Sequence, residues 1–288
     1  MRKRQMGRQE NVGIFQNTER LCKTNVKLAE SVKYSTEHQK LILETDHLKE
    51  QKKNLYDKRA KVIVSKKRTF QAAAAYQGTK TAVHNFASAA NPGGGVVKGA
   101  SAQEECLCRC SGLYFNLNVQ SMWKGFYTPH RNAHDAIHND DIIFTPDVVV
   151  FKSDTSEPKL LPEEEWYQVD VITCAAPNLR RKPSNAMNPS DGDAVVISDK
   201  DLLAVHEKRL RRILETAVSE GVESIILGAF GCGAFRNNPE IVAKAAENVL
   251  GEYLYAFKNV EFAVYCRPED ERNYKVFERV LKKLGNGE

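Results

Sequence analysis

From residue 61 onward, short β-branched and apolar runs alternate with segments rich in helix formers. VIVS, TAVHNFAS, YQVDVITCA, ESIIL and VEFAVYC have the composition of strands, and DIIFTPDVVVF contains strand material broken by Pro146. TFQAAAAYQ, QEECLCRCSGLYFNL, DLLAVHEKRLRRILETAVSEG, about Pro239 to Phe257 and the end of the chain to about Leu284 favour helices. This alternation predicts an α/β fold, with helices on both faces of a mixed or largely parallel sheet.

The first sixty residues differ from the rest in polarity and charge. They are helix-forming, but their apolar positions are too scattered to build a core, so we expect a helical extension over 1–60 that packs on a domain formed by 61–288. Residues 1–68 carry 18 Lys and Arg against 8 Asp and Glu, whereas the remainder carries 24 against 29. The basic excess fits either solvated helix faces or weak contact with a polyanion.

Cysteine usage and hydropathy bear on the compartment. The seven cysteines are odd in number and follow no disulfide framework, which is typical of reduced thiols in a cytosolic protein. The N-terminal residues lack the apolar run of a signal peptide, and no segment reaches the roughly 18 apolar residues of a membrane span. We therefore expect a soluble cytoplasmic protein without membrane contact.

A glycine loop follows the predicted strand ESIIL and precedes a helix. GAFGCGAFRNNP contains Gly228, Gly231 and Gly233, and Asn238 and Pro239 have the residue types of an N-cap and a first helical position. Backbone N–H groups of such a loop can bind phosphate, although the glycines could equally serve only turns. Cys232 has the character of a small buried residue rather than a nucleophile, and Phe235 suits either the core or a pocket wall.

The stretch NPGGGVVKGASAQEECL contains a second glycine loop and two adjacent carboxylates. Ser101 and Glu104 fit a capping box, in which Glu104 would accept the Ser101 amide. Glu105 projects about 100° away around the helix and has no such role. Its carboxylate could complement the helix dipole, or it could be a general acid whose pKa is raised by burial and like charge.

The order of these motifs resembles the bacterial type of the poly(ADP-ribose) glycohydrolases. GGG, seven residues and then QEE match the signature of that family, and NFASAANPGGG and GAFGCGAFRNNP resemble its two ADP-ribose loops. The resemblance covers roughly residues 60–285 and less closely the N-terminal extension. It implies a macrodomain-like α/β/α three-layer sandwich with a mixed sheet, and an enzyme that hydrolyses ribose-ribose O-glycosidic bonds to release ADP-ribose.

The resemblance also implies a role for each matching residue. Glu105 would be the catalytic acid/base, and Glu104 would hold the ribose hydroxyls at the scissile bond, in competition with the capping box. Asn91 would bind the terminal ribose, and Phe235 would pack on the ribose. The remaining implied substrate-binding residues are Gly93, Gly94, Gly95, Val96, Gln103, Gly231, Cys232, Gly233 and Ala234. The family needs no metal and no cofactor, and its ligands are poly(ADP-ribose), ADP-ribose and ADP-ribosylated proteins.

Other readings of the same residues stay open at the level of sequence. A non-catalytic ADP-ribose reader, or a hydrolase of mono-ADP-ribosylated or acylated ADP-ribose substrates, would use the same loops. CLCRC and the histidines at 130, 134 and 138 lack a usual zinc arrangement, so we expect no metal there. Asp170 is expected to flank a strand, with an adenine contact as the alternative.

Overall fold

The structure is a computed structural model that describes residues 7–48, 52–186 and 188–285, and within them a seven-stranded sheet forms the centre. The strands are β1 (Lys40–Ile42), β2 (Lys61–Ser65), β3 (Thr81–Ala87), β4 (Ile142–Val150), β5 (Tyr167–Ala175), β6 (Ser224–Leu227) and β7 (Asn259–Ala263). Their order is β1-β4-β5-β3-β6-β7-β2. The five strands from β5 to β2 are parallel, whereas β4 and β1 are joined to them by antiparallel pairing, so the sheet is mixed.

Helices cover both faces of this sheet. They are α1 (Arg8–Thr24), α2 (Val26–His38), α3 (Thr69–Ala73), α4 (Gln103–Cys110), α5 (Leu113–Leu117), α6 (Gln120–Met122), α7 (Thr128–Ala133), α8 (Asp199–Ser219), α9 (Pro239–Leu250) and α10 (Arg272–Gly285). Short 3-10 turns cover Ala74–Tyr76, Val96–Lys98 and Glu163–Glu165, and Trp123–Tyr127 forms a π-helical turn. No helix in the described ranges is long and apolar enough to cross a membrane.

Alternating strand residues divide the core into two clusters, one on each face. On β3, Ala82 packs with the helices α8, α9 and α10, whereas the next residue, Val83, packs with α3, α4 and α5. Neighbouring strands follow the same two-residue period, as expected for a sheet covered on both sides. The predicted three-layer α/β/α arrangement with a mixed sheet is therefore confirmed.

Most predicted elements lie where the composition placed them, with three local differences. QEECLCRCSGLYFNL is two helices, because Ser111 is extended and bridges Val150 of β4. Pro146 does not end β4, since the strand continues through a register shift between Thr145 and Val148. The helix that begins at Pro239 ends at Leu250, and turns follow it.

The N-terminal segment is attached to the rest of the chain by specific contacts. Its strand β1, which the sequence did not indicate, is the sheet edge next to β4. The buried ammonium of Lys152 donates to the Ile14 carbonyl at 3.0 Å and to the Thr18 hydroxyl at 2.7 Å, and both acceptors lie on α1. Burial lowers the pKa of Lys152 to about 8, because the charged form loses its hydration.

Gly99 lies where the backbone at the start of α1 approaches the rest of the chain closely. A Cβ at this residue would lie 2.1 Å from the Arg8 carbonyl oxygen, and its φ of +73° is unfavourable for any other residue. The Asn11 side chain donates to the Gly99 carbonyl at 3.1 Å on the same contact. Glycine at this position therefore permits α1 to dock.

We predict that Gly99→Ala lowers the free energy of unfolding by about 1–3 kcal/mol, because strain and the clash with Arg8 act together. The matched control is Gly13→Ala in the exposed interior of α1, where a Cβ meets nothing within 4 Å. That change should stabilise the protein by up to about 1 kcal/mol. Urea unfolding of both variants checks the pair, and equal stabilities would contradict the docking account.

Candidate active site

A cleft of about 1500 Å³ lies beyond the carboxyl ends of the parallel strands. The loop after β3, the first turn of α4 and the loop after β6 all line it, as is usual for ligand sites in open α/β sheets. Among the residues expected to bind substrate or catalyse, the lining includes Gly94, Gly95, Gln103, Glu104, Glu105, Gly231, Gly233, Ala234 and Phe235. Asn91, Gly93, Val96 and Cys232 are not part of this lining. The two glycine loops and both carboxylates thus belong to one cavity.

The loop after β3 needs glycine because it passes directly over the carboxylates. Gly94 has φ +57°, and a Cβ there would lie 2.7 Å from Glu105 Oε1 and 3.1 Å from Glu104 Oε2. A Cβ at Gly93 would lie 2.8 Å from the Tyr114 ring. Val96 is fully buried in the core below the loop. Larger residues at either glycine would separate the loop from α4.

The first turn of α4 is hydrogen-bonded to the end of β3. Gln103 Oε1 accepts the Phe86 amide at 2.9 Å, and Gln103 Nε2 donates to the His84 carbonyl at 2.7 Å. Glu104, which is 3% exposed, accepts the Ser88 amide at 2.8 Å and the Asn85 side-chain amide at 3.3 Å. These bonds fix the direction in which α4 leaves the cleft.

The capping-box prediction for Glu104 is wrong. Helix α4 begins at Gln103 with Ala102 as its N-cap, so Glu104 is the second helical residue and not the third. Its carboxylate accepts the Ser88 amide instead of the Ser101 amide. The spacing of Ser101 and Glu104 suggested a local contact, but the long-range pairing with β3 determines where this side chain lies.

Glu105 is held at one oxygen only. Its Oε1 accepts the Gly95 amide at 2.9 Å, whereas Oε2 is buried and has no hydrogen-bond partner in the part of the chain that the structure describes. Burial raises the pKa of Glu105, and the Gly95 hydrogen bond and the Arg109 charge oppose this only in part. The pKa of Glu104 is raised well above its usual range, first by burial and then by the charge of Glu105. The pair therefore favours protonation.

Asn91 is oriented by an arginine that the sequence did not single out. Arg131 of α7 donates from Nη2 to Asn91 Oδ1 and from Nε to the Ala90 carbonyl at 2.7 Å. The guanidinium also stacks 4.6 Å from the Trp123 ring centroid. These contacts orient the Asn91 side chain and the loop that carries it.

The loop after β6 is supported from below by Asn237. Its Nδ2 donates to the Pro177 carbonyl at 2.7 Å and to the Gly231 carbonyl at 3.2 Å, and His206 Nε2 lies 2.8 Å from its Oδ1. Burial lowers the pKa of His206 to about 4, so the ring is neutral and donates from Nε2. Gly231 has φ +74°, and a Cβ there would lie 2.6 Å from Asn237 Nδ2. As predicted, Asn238 caps α9 and Pro239 begins it.

Cys232 and Phe235 differ in their relation to the cleft. Burial raises the pKa of the Cys232 thiol, which contacts the Phe230 carbonyl at 3.7 Å, so the group is unsuited to act as a thiolate. The Phe235 ring is largely buried but lines the cleft, and the Arg180 guanidinium lies 5.7 Å from its centroid. Both readings of Phe235, core and pocket wall, hold for this residue.

Asp170 and His130 do not line the cleft, whereas Cys106 of CLCRC does. Asp170 accepts the Asp147 amide at 3.0 Å and does not line the cleft, so the adenine contact has no support. His130 pairs with the Phe126 carbonyl and with Asn139. Within the described ranges, no three His, Cys, Asp or Glu side chains are grouped to hold a metal ion.

Comparison with known proteins places this geometry in a family. The family described as "Microbial-type PARG, catalytic domain" matches residues 9–153. A poly(ADP-ribose) glycohydrolase structure from Deinococcus radiodurans in complex with ADP-ribose is 32% identical, with a TM-score of 0.74, over 88% of this chain and 98% of that one. A poly(ADP-ribose) glycohydrolase structure from Thermomonospora curvata is 27% identical, with a TM-score of 0.78, over 94% of this chain and 99% of that one.

A second Thermomonospora curvata structure, bound to the inhibitor ADP-HPD, is 27% identical with a TM-score of 0.76, over 94% of this chain and 99% of that chain. No curated protein sequence matches. The fold and the cleft are those of a macrodomain-like hydrolase. The chain belongs to the microbial-type poly(ADP-ribose) glycohydrolase family.

We predict that Glu105→Gln raises the thermal midpoint at pH 7.5 by about 1–4 °C, because a neutral amide avoids the cost of a buried charge. The folded-state pKa is raised, so folding favours the protonated carboxyl, and stability is lost as pH rises through that pKa. The gain should therefore vanish below the ordinary carboxyl pKa of 4.5.

Differential scanning calorimetry across pH measures this effect. Glu30→Gln, at an exposed position on α2, is the control and should leave the midpoint unchanged. A Glu105→Gln midpoint equal to or below that of the unmodified chain at pH 7.5 would show that the protein stabilises the ionised form.

Proposed function

We propose that the protein hydrolyses the ribose-ribose O-glycosidic bonds of poly(ADP-ribose) and releases ADP-ribose, with Glu105 as general acid and base. The observation that carries this proposal is the state of the Glu105 carboxyl. One oxygen is fixed by the Gly95 amide, the other is unpaired among the described residues, and both lie beside a glycine loop in the cleft.

The two glycine loops supply the diphosphate site. Backbone at Gly94 and Gly95 meets the cleft from the β3 side, and backbone at Gly231 and Gly233 meets it from the β6 side. Glycine lets a ligand approach the backbone of both loops closely, because no Cβ intervenes, although the Gly94 and Gly95 amides already donate to the Asn91 carbonyl at 3.0 Å and to Glu105 Oε1 at 2.9 Å. Ligands of this kind are bound in a relative, since the Deinococcus radiodurans structure contains ADP-ribose.

Protonated Glu105 would donate its proton to the ribose oxygen that leaves as the glycosidic bond breaks. The cleft then holds an oxocarbenium-like ribose, and the carboxylate left on Glu105 takes a proton from the water that attacks the anomeric carbon. The proton removed from water restores the acid. A carboxyl whose pKa is raised by burial suits this cycle, because the raised pKa favours the protonated form that donates the proton.

Glu104 and Asn91 would hold the ribose. Glu104 accepts amide hydrogens from Ser88 and Asn85, and each carboxylate oxygen has a further lone pair for a ribose hydroxyl. Asn91, oriented by Arg131, would bind the terminal ribose. Phe235 would pack on the ribose as the apolar wall.

We further propose that the substrate is polymer attached to proteins and that the reaction takes place in the cytoplasm. All seven cysteines are free thiols, which suits a reducing compartment. Weak attraction of the polymer by the basic N-terminal part is a further expectation from its charge.

We predict that Glu105→Gln and Glu105→Ala each lower kcat for polymer hydrolysis by roughly 10²–10⁴-fold, because the proton donor is lost. ADP-ribose affinity should change little, since the diphosphate contacts come from backbone. Release of ADP-ribose measured by chromatography and binding measured by calorimetry separate the two effects, with Glu30→Gln as control.

Three results would reject this proposal. Near-normal polymer hydrolysis by a folded Glu105→Ala protein would remove the assigned acid. Tight ADP-ribose binding by the unmodified protein without turnover of polymer, mono-ADP-ribosylated protein or acylated ADP-ribose would indicate a reader. Turnover of only the last two substrates would assign a different hydrolase.

The pH profile provides a separate prediction. Because the acid must be protonated, kcat/KM should fall as pH rises through the raised pKa of Glu105. The descending limb should therefore have its midpoint above 4.5, the ordinary value for a glutamic acid. Initial rates between pH 4 and pH 9 measure it, and a midpoint at or below 4.5 would contradict an acid activated by burial.

A further inference from the structure

A cluster of cationic side chains lies outside the cleft, next to its aromatic wall. The chain after β5 reads LRRKPSN and places Arg180, Arg181 and Lys182 in succession, and Arg236 directly follows Phe235. Arg181, Lys182 and Arg236 are exposed, and Arg180 is half-buried. None of these four lines the cleft, whereas Phe235 does.

We propose that Arg180 and Arg236 form a second phosphate-binding subsite, which holds the diphosphate of the ADP-ribosyl unit adjoining the one in the cleft. This inference rests on the proposed function and extends it to recognition of the polymer. Arg181 and Lys182 add positive charge at the same rim.

Arg180 is held in position beside Phe235 by hydrogen bonds. The Leu179 amide donates to the Phe235 carbonyl at 2.9 Å, which fastens this segment to the loop after β6. Arg180 Nε donates to Asn178 Oδ1 at 3.1 Å, and its Nη2 donates to the Pro183 carbonyl at 3.0 Å. The guanidinium lies 5.7 Å from the Phe235 ring centroid. It is therefore ordered before any ligand binds.

Asn178 in turn is anchored to the protein interior. Its amide donates to the Ala136 carbonyl at 2.7 Å, and its Nδ2 donates to Asp191 Oδ2, also at 2.7 Å. Both Asn178 and Asp191 are buried. The support of Arg180 thus extends through two buried side chains.

The charge of Arg180 is offset only in part by the protein, through the nearby Asp191 carboxylate. In the described ranges no carboxylate lies within ion-pair distance of Arg180 or Arg236, and the nearby Asp191 is occupied by Asn178. Burial lowers the pKa of Arg180, and the charge of Arg236 lowers it further while Asp191 opposes both. Two guanidinium groups that repel each other at a cleft mouth would be relieved by a bound anion.

Arg236 and Asn237 divide the roles of the loop after β6. Arg236 has φ +66° and an exposed side chain, whereas Asn237 is buried beneath Gly231. The loop therefore lines the cleft with Gly231 and Gly233 and carries a cation outside the lining. Phe235 separates these two surfaces.

The ligand chemistry follows from the polymer. Each ADP-ribosyl unit carries a diphosphate, so a chain with one unit between the glycine loops brings the next diphosphate just outside them. Guanidinium groups bind phosphate oxygens through paired N–H donors. Acidic side chains of an acceptor protein are the weaker candidate as the ligand of these arginines, since only the adjoining ADP-ribosyl unit must pass Phe235.

The double variant Arg180→Gln/Arg236→Gln tests the subsite. For protein-free ADP-ribose oligomers at low salt we expect kcat/KM to fall roughly 5- to 30-fold through KM, because charged hydrogen bonds are lost. The affinity for free ADP-ribose should stay within about twofold, since the cleft is intact. In 0.5 M NaCl the difference should shrink, and Arg180→Lys/Arg236→Lys should recover part of the loss.

The matched control is Lys282→Gln/Lys283→Gln, which removes the same charge from the exposed last turn of α10. That turn lies at the opposite end of the sheet, where Gly285 approaches the Val62 carbonyl near the start of β2. This control should leave kcat/KM for oligomers unchanged at both salt concentrations.

Three outcomes would overturn the subsite: oligomer kinetics equal to those of the unmodified protein, a matching loss of ADP-ribose affinity, or a loss confined to polymer attached to protein. Oligomer binding measured in the Glu105→Gln background keeps the test separate from catalysis. If the unmodified protein hydrolyses no oligomer, the proposed function fails, and the binding comparison still decides whether this rim holds phosphate.

Discussion

The hydrogen bonds between the first turn of α4 and the end of β3 are the constraint on which the site depends. Gln103 pairs with the Phe86 amide and the His84 carbonyl, and Glu104 accepts the Ser88 amide. This junction brings consecutive carboxylates beneath the glycine loop. It also explains why the loop needs glycine at position 94, where a Cβ would meet both acids.

The same junction makes the unliganded site electrostatically unfavourable. Two carboxyl groups are buried next to each other, and the amides of Ser88 and Gly95 offset only part of the loss of water. Such strain is tolerated where the surrounding fold is rigid, and here the sheet and both core clusters supply that rigidity. The raised pKa of Glu105 suits transfer of its proton to a bound sugar. Burial of the two carboxyl groups therefore lowers stability and serves the proposed chemistry.

The cleft is completed by elements far apart in the chain, and this determines what the sequence could predict. Strands β2, β3, β5, β6 and β7, the helix after Asn238 and both glycine loops follow from local composition. The three-residue strand β1 does not, because Lys40–Ile42 has little strand character and gains its place by pairing with β4. The break after Cys110 likewise depends on a bridge to Val150.

The sequence indicates residues that line the site more readily than residues that support it. Asn237 follows GAFR directly, but the sequence indicates no role for it, and nothing near His206 in α8 indicates that the two side chains are in contact. No sequence pattern indicates Arg131, because it comes close to Asn91 only in the folded chain. For Glu104, the spacing from Ser101 predicts a capping box that the structure lacks, since a glutamate suits a capping box and a contact with β3 equally well. Pairing between distant elements carries this information, and a single sequence does not display it.

The most direct measurement is a crystal structure of the Glu105→Gln protein with an ADP-ribose oligomer bound. We expect the diphosphate between the Gly94 and Gly231 loops and the scissile oxygen within hydrogen-bond distance of the residue 105 amide. A diphosphate bound elsewhere, or a scissile oxygen closer to Glu104 than to residue 105, would contradict it.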